Sequence, residues 1–439
     1  MDVQTLVTVL SAVLSPNEVE RKAAEEHLKK AQDAPGHLVM LMQAVVAPQL
    51  DPSIRQAAAI HFKQLLSKRW KPSESQLKEG IQEFSPEDKQ VVRDNVLEAI
   101  IQAPPKIRSQ LGECLKSVVE NDYPHAWPGL LPLICQNLQM QDLPRLYGAL
   151  YALRMLSNKY EFKDEDERVH IQEVVNTTFP TLLQIFQQLA QHNSAQVELA
   201  ELMKLICKTF WSSTFLDIPQ HLLDAQVFMA WMSVFDQLLA KPVPAEGAPT
   251  DPDELKSWPW WKLKKWTLHV INRMFSRFGD SKQLKDEVKE FSKQFRNTCS
   301  TKFLGSYLQL LDGLRHGAYL PDRVVNLALQ YVMTGVTKPA TYKMMKPQLN
   351  IILFEIAFPL LCFNENDHML WVEDPHEYVR KGYDVIEDMY SPRTAAMHLI
   401  IELVNCRSKD CLQPFIAFLV DIFTKYSQAA PEARPYNIK

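Results

Sequence analysis

Three stretches of this 439-residue chain hold side chains whose types and spacing could do chemistry. His368, Glu373 and His376 fall within nine residues, and such groups can hold a transition metal. Their spacing matches no helical ligand set, so they read as a polar loop and a helix start, with no metal implied. Glu365, Asp367, Glu373 and Asp374 form an acidic patch between the apolar run 358–363 and a helix beginning near Pro375. Capping and a solvated loop account for most of it, since a carboxylate at Asp374 suits a helix N-terminus; as a functional feature it would receive a basic protein surface. The third stretch is Trp258-Pro-Trp-Trp-Lys-Leu-Lys-Lys-Trp266, with Arg273 and Arg277 further along the same helix. Basic residues among aromatics can stack nucleobases or sit at a membrane interface. Against that, Leu263, Trp266, Val270 and Met274 make an apolar stripe, so the expectation is a core stripe backed by a solvated basic face, with Ser257 as cap before Pro259.

Catalytic signatures are missing from the sequence. No phosphate-binding loop, dinucleotide fingerprint, zinc-protease motif or nucleophile elbow can be found, so neither catalytic residues nor a cofactor is expected. Only 12 Gly disfavour a fold built on tight turns, and a net charge of -4 argues against direct DNA binding and for basic protein partners. Seven scattered Cys without a Cys-x-x-Cys pair fit a reducing compartment. The longest apolar run, 351–363, is interrupted by Glu355 and too short to span a bilayer, so no membrane insertion is expected.

The elements that must position these residues announce themselves by repetition. Arg21-Lys-Ala-Ala-Glu-Glu-His-Leu-Lys29 recurs thirty-four residues later as Arg55-Gln-Ala-Ala-Ala-Ile-His-Phe-Lys63, and a looser copy starts at Arg108. Such offsets belong to stacked helical hairpins. With the Arg as zero, positions +3 and +7 share a helix face and should be buried, the Ala at +2 beside them, while the Lys at +8 keeps its charge in water. Apolar periodicity and Pro-marked helix starts predict further pairs at about 128–140 with 143–159, 166–191 with 195–213, 220–240 with 259–278, 284–301 with 303–316, and 321–336 with 344–362. Long helical regions follow from Pro375 and Cys411. Residues 71–84 and 241–257 are expected as long connections, the second a mobile acidic loop rich in Pro and Ala. The fold class is all-α. The loop-like tail from Gln428, without a polar capping repeat, suggests a C-terminal truncation.

Several motifs in order resemble a known family. Ile54-Arg-Gln-Ala-Ala and its copy at Arg21 resemble the N-terminal domain of the importin-β karyopherins. Asp122-Tyr-Pro-His-Ala-Trp127, the Trp258 to Trp266 run, Asp374-Pro-His-Glu-Tyr-Val-Arg380 and Ser391-Pro-Arg-Thr-Ala-Ala396 resemble the importin seven and eight branch. The resemblance implies a right-handed α-solenoid superhelix of HEAT/ARM-type hairpins, with a Ran-binding N-terminal domain over 1–120 and further repeats over 121–439. It also implies a non-enzymatic receptor that carries basic protein cargo through nuclear pores, shuttling between cytoplasm and nucleus and releasing cargo to the GTP form of the small GTPase Ran. Candidate Ran-binding residues are Glu25, Gln56, Lys63, Glu113 and Lys116, with the acidic patch around Asp367 as a second contact; first helices would meet Phe-Gly repeats of pore proteins. The alternatives are an exportin of the importin-α-recycling type and a Ran-independent HEAT-repeat scaffold.

Overall fold

The structure is a computed structural model that describes residues 2–140, 142–280, 284–384 and 389–431, and every regular element among them is helical. The chain falls into two compact units, residues 1–185 with 208–221 and residues 186–207 with 222–439.

In the first unit the helices are α1 (Val3–Val13), α2 (Glu18–Ala31), α3 (His37–Val46), α4 (Pro52–Arg69), α5 (Glu74–Lys78), α6 (Pro86–Gln102), α7 (Pro105–Asp122), α8 (Leu130–Leu138) and α9 (Leu143–Lys159). Their starts are chemically marked. Asn17, Asp51, Ser85 and Asp142 each accept a backbone N–H of the first turn, and Pro opens α4, α6 and α7, where its missing donor costs nothing. The pairs α1/α2, α3/α4, α6/α7 and α8/α9 pack as hairpins, and α4 packs on α7. At the repeat register, Ala24 and Leu28, Ala58 and Phe62, and Leu111 and Leu115 are all buried, as the period requires. The +2 Ala is not part of that face: Ala23 is exposed and Ala57 half-buried.

The repeated Arg itself has a structural task. Arg21 donates to the carbonyl of Ser15 at 3.3 Å, Arg55 to Val45 at 2.9 Å and Arg108 to Ala103 at 3.2 Å. Each guanidinium thus reaches back to the C-terminal end of the first helix of its own hairpin, where carbonyls lack partners and the helix dipole is negative. Lysines do the same elsewhere: Lys159 donates to Val119, Glu120 and Tyr123 at the end of α7. Two buried polar groups join elements in this unit. Asp122 accepts from Trp70 Nε1 at 2.9 Å and from Arg93 Nη1 at 2.7 Å, and Glu161 accepts from Ser212 Oγ at 2.5 Å.

α10 (Val169–Gln191) and α11 (Val197–Ser213) each contribute residues to both units. The second unit continues with α12 (Ala225–Ala240), α13 (Pro252–Ser257), α14 (Pro259–Phe278), α15 (Asp286–Gln294), α16 (Ser300–Arg315), α17 (Asp322–Val336), α18 (Pro339–Met345), α19 (Phe358–Leu361), α20 (Glu365–Glu373), α21 (Pro375–Lys381) and α22 (Pro392–Gln428). Here the pairing differs from the expected one. No Gly or Pro interrupts residues 295–303, so α15 and α16 run on as one helix through a π turn, Phe295–Cys299, instead of folding back near residue 302. As a result α16 pairs with α17, and the helical run from Pro339 pairs forward with α22. The break expected at Cys411 lies at Arg407 (φ -139°, ψ 32°), whose guanidinium donates to the Val336 carbonyl at the end of α17 at 3.0 Å.

Other expectations need correction. The connections at 71–84 and 241–257 contain α5 and α13, each begun by a side-chain cap at Ser73 or Asp251. Ser257 ends α13, and Trp258 is the N-cap of α14. The tail from Gln428 lies outside the described residues from 432 onward, as does part of the helical region expected from Pro375, residues 385–388. Among the described residues no single helix is long and apolar enough to cross a membrane.

Candidate partner-binding face

The five residues assigned by resemblance lie on α2, α4 and α7, the second helices of three successive hairpins. Glu25, Gln56, Glu113 and Lys116 are exposed, whereas Lys63 is half-buried. Glu25 and Gln56 come together on an open groove of about 660 Å³ between α2 and α4, floored by Leu10, Leu14 and Leu28. Lys63 and Glu113 do not line it. Each instead acts on the Cys114 thiol of α7: burial pushes that thiol up to about 12, Lys63 opposes the effect and Glu113 adds to it. Cys114 is therefore inert, and Lys116 projects one turn beyond Glu113.

The groove has a mixed character. Lys29 and Lys68 stand on its walls beside Glu25, while Ile60 and His61 give it an apolar and aromatic lining. Its hidden feature is the contact of His61 with His37, ring centroids 5.8 Å apart and edge to face. Neither ring nitrogen of His37 has a partner, nor has Nε2 of His61. Burial, and then the neighbouring His37, push the His61 imidazole down to about 4, and burial lowers His37 as well, so both rings are neutral at physiological pH. The sequence contained the signal for this: His27 and His61 occupy the same position of the repeat, and only the copy on α4 turns inward.

The acidic patch in the second unit is not the solvated loop the sequence suggests. Glu365, Asp367 and Glu373 lie on α20, whose start is a capping box: Asn364 accepts from the Asp367 N–H at 3.0 Å and Asp367 from the Asn364 N–H at 2.9 Å. Asp367 is also bound by the Arg393 guanidinium. Burial raises its carboxyl, but the bonds from Arg393 and Asn364 outweigh that and hold it below the usual range. Asp374 accepts from the Glu377 N–H at 2.9 Å as N-cap of α21. Asp367 and Asp374 are thus committed to folding, and Glu365 and Glu373 remain exposed. Among the described residues no three His, Cys, Asp or Glu side chains converge as a metal ion needs.

The tryptophan run divides in the same way. Trp258 and Trp260 are buried, and Trp260 Nε1 donates to the Ala195 carbonyl at 3.0 Å. Lys264, expected on a solvated face, is 5% exposed. Its ammonium donates to the carbonyls of Leu238, Leu239 and Lys241 at 2.9, 2.8 and 2.6 Å, closing the C-terminus of α12. Burial pushes it down to about 7, while three acceptors matched to its three donors favour the charged form.

Comparison with known proteins places these features. The family profile described as Importin-beta N-terminal domain matches residues 24–102, and the one described as Cse1 matches residues 157–434. The chain is 48% identical, over its whole length, to 42% of an importin beta-like SAD2 homolog of Arabidopsis thaliana, and 33% identical over 97% of its length to 41% of importin-8 of Homo sapiens. It therefore spans about two fifths of the length of these relatives. Among solved structures, the exportin Cse1 in its cargo-free, cytoplasmic state superposes with a TM-score of 0.80 at 19% identity, covering 99% of this chain and 45% of that one, which establishes a shared α-solenoid fold.

Proposed function

We propose, because this chain belongs to the importin-β family of karyopherins and to its importin-7 and importin-8 branch, that it acts as a nuclear transport receptor for protein cargo. Ran in its GTP form binds the exposed sides of α2, α4 and α7, with Glu25 and Gln56 on the first groove and Lys63, Glu113 and Lys116 at the second seam. Basic cargo and the Phe-Gly repeats of pore proteins are its other partners, and it moves between cytoplasm and nucleus without catalytic activity of its own. The observation that carries the reading is the alignment of three second helices, whose buried +3 and +7 positions leave one side of each free for a partner. Binding in a stack of helical hairpins can then be felt by cargo bound elsewhere on the stack, because small changes at each hairpin interface add. The coupling must be reciprocal, of order 1–3 kcal/mol in each direction.

Retention of Ran on the immobilised chain tests this. Ran carrying a non-hydrolysable GTP analogue should be retained and Ran-GDP should not, and Gln56→Glu with Lys63→Glu should weaken retention. Equal or absent retention of the two forms would favour a Ran-independent scaffold. A second reading has specific support: the Cse1 profile covers residues 157–434, and the exportin named above shares the fold. In an exportin, Ran-GTP tightens cargo binding; in the import receptor proposed here it weakens it. The sign of that effect decides between them.

A further inference from the structure

The groove between α2 and α4 carries charges that the described residues leave unanswered. α2 has three Glu–Lys pairs at the i, i+4 spacing that favours an ion pair on a helix: Glu18 with Lys22, Glu25 with Lys29, and Glu26 with Lys30. The first and third are closed, at 2.6 and 3.7 Å. The middle pair, which faces the groove, is open, and among the described residues neither Glu25 nor Lys29 has a hydrogen-bond or ion-pair partner. Lys68, on the opposite wall near the end of α4, is equally free. Its neighbour Arg69 is engaged: the guanidinium donates to the Gln32 carbonyl and lies 3.1 Å from Asp33, which ties the C-terminal ends of α2 and α4 together and occupies that carboxylate. The end of the groove is thus left with two lysines, and Glu25 stands one helical turn away from Lys29 toward the start of α2. Between these charges the surface is apolar and uncovered. Leu28 and Leu65 are buried in it, whereas Leu14 is 49% and Ile60 36% exposed. His61 continues the surface as a neutral ring, and Gln32, Gln56 and Gln64 add amides that can donate or accept.

Lysines in a last turn suit the dipole of their own helix, which accounts for Lys29 and Lys68 being there. It does not account for the open Glu25–Lys29 pair or for Leu14 and Ile60 lying bare between two helices, a shape that receives a third helix. We infer that this groove is the docking site for an amphipathic helix of a partner protein, laid antiparallel to α2 and α4, with an acidic residue in its first turn over Lys29 and Lys68, a basic residue four positions later over Glu25, and an apolar row on Leu14 and Ile60. The direction follows from the charges. A helix takes acidic residues best in its first turn, so its N-terminus belongs at the end of the groove that holds the two lysines. An acid followed four residues later by a base also supports the docked helix itself. The site does not rest on the Ran assignment, but a helix seated there would cover Glu25 and Gln56, so the two partners would exclude each other.

The test is fluorescence anisotropy of labelled Ala-rich peptides of about 16 residues, long enough to be helical, titrated with the whole chain and no Ran at about 0.15 M salt, where longer-range attraction is screened. One peptide has Glu in the first turn, Lys four residues later and a Leu row at helical spacing; the other exchanges the Glu and the Lys. The wild-type chain should bind the first peptide at least about tenfold more tightly than the second. Glu25→Lys combined with Lys29→Glu and Lys68→Glu, all at exposed positions, should invert that preference, a result that damage to the fold cannot produce. Ile60→Gln should weaken both peptides, and a proline in the middle of the first peptide should abolish its binding. Failure of the wild-type chain to bind, equal affinity for the two peptides, an unchanged preference in the triple variant, or undiminished binding in Ile60→Gln would each overturn the proposal. So would full binding of the proline peptide, which would show that the groove takes an extended segment. Because Ran is absent from the assay, its outcome and that of the Ran retention experiment are independent.

Discussion

Asp122 is a buried carboxylate held by two donors from different helices, Trp70 Nε1 and Arg93 Nη1, with side-chain exposures of 9% for Asp122 and 10% for Arg93. Removing one partner of such a pair strands the other charge, so Asp122→Ala should cost about 3–5 kcal/mol in urea unfolding. Asp122→Asn, which keeps an acceptor for the tryptophan, should cost less; equal losses would mean that the tryptophan bond adds nothing and that the ion pair carries the whole effect. His61 makes a prediction of a different kind. Its folded value near 4 lies below the ordinary 6.5, so the unfolded chain takes up the proton first. The stability it confers is complete above pH 6.5 and is lost as pH falls from there toward 4. The urea midpoint should therefore drop through that window in wild type and drop less in His61→Gln, and parallel profiles would refute the assignment. The two residues also differ in legibility. The repeat His and Arg can be read directly from the register that links residues 21–29 with 55–63, but their tasks cannot, because a guanidinium aimed at a carbonyl ten residues back and one aimed at water have the same spacing. Which of two equivalent His turns inward depends on the neighbouring hairpin, and no local pattern encodes that.

At the scale of elements, chemistry that marks a boundary was easier to foresee than chemistry that merges two helices. Pro105 and Asp51-Pro52 announce α7 and α4, and the +3 and +7 face is buried in all three copies of the repeat. The π turn at Phe295–Cys299 has no such mark: it takes up one extra residue inside an unbroken helix, and a reader who expects hairpins inserts a turn there. α20 was hidden for the opposite reason, since it is nine residues long and its acidic first turn looks like a loop until Asn364 and Asp367 are seen to bond each other. Lys264 shows how an element is finished from outside. Its ammonium satisfies three carbonyls that α12 cannot satisfy itself, so Lys264→Met should leave buried acceptors without donors and cost about 1–3 kcal/mol. Hydrogen exchange should quicken first in the last turn of α12, before α14 itself loosens. Simultaneous loosening of both helices would mean that the lysine holds the pair together and does not cap one member.

At the scale of the whole molecule, 439 residues exceed the size that a single hydrophobic core serves, and helical hairpins solve this by burying each face only against neighbours. The repeat periodicity made that solution visible in the sequence, since an offset of thirty-four residues is the signature of stacked helical hairpins. It follows that damage should stay local. Phe62 is fully buried on α4, which packs against α3 and α7, and truncating it to Ala should cost about 3–5 kcal/mol, the transfer loss plus the cavity it leaves. In a protein with one cooperative core that loss would be shared by every amide protected by global unfolding. In a stack of hairpins it is charged to the interfaces that contain the cavity, because stability is nearly a sum of nearest-neighbour terms. Hydrogen exchange in Phe62→Ala should therefore accelerate across residues 37–122 and stay at the wild-type rate across residues 259–336. A uniform acceleration over both segments would show that the hairpins unfold as one unit, and with it would fall the proposal that binding on α2, α4 and α7 is passed along the chain by small changes at successive interfaces.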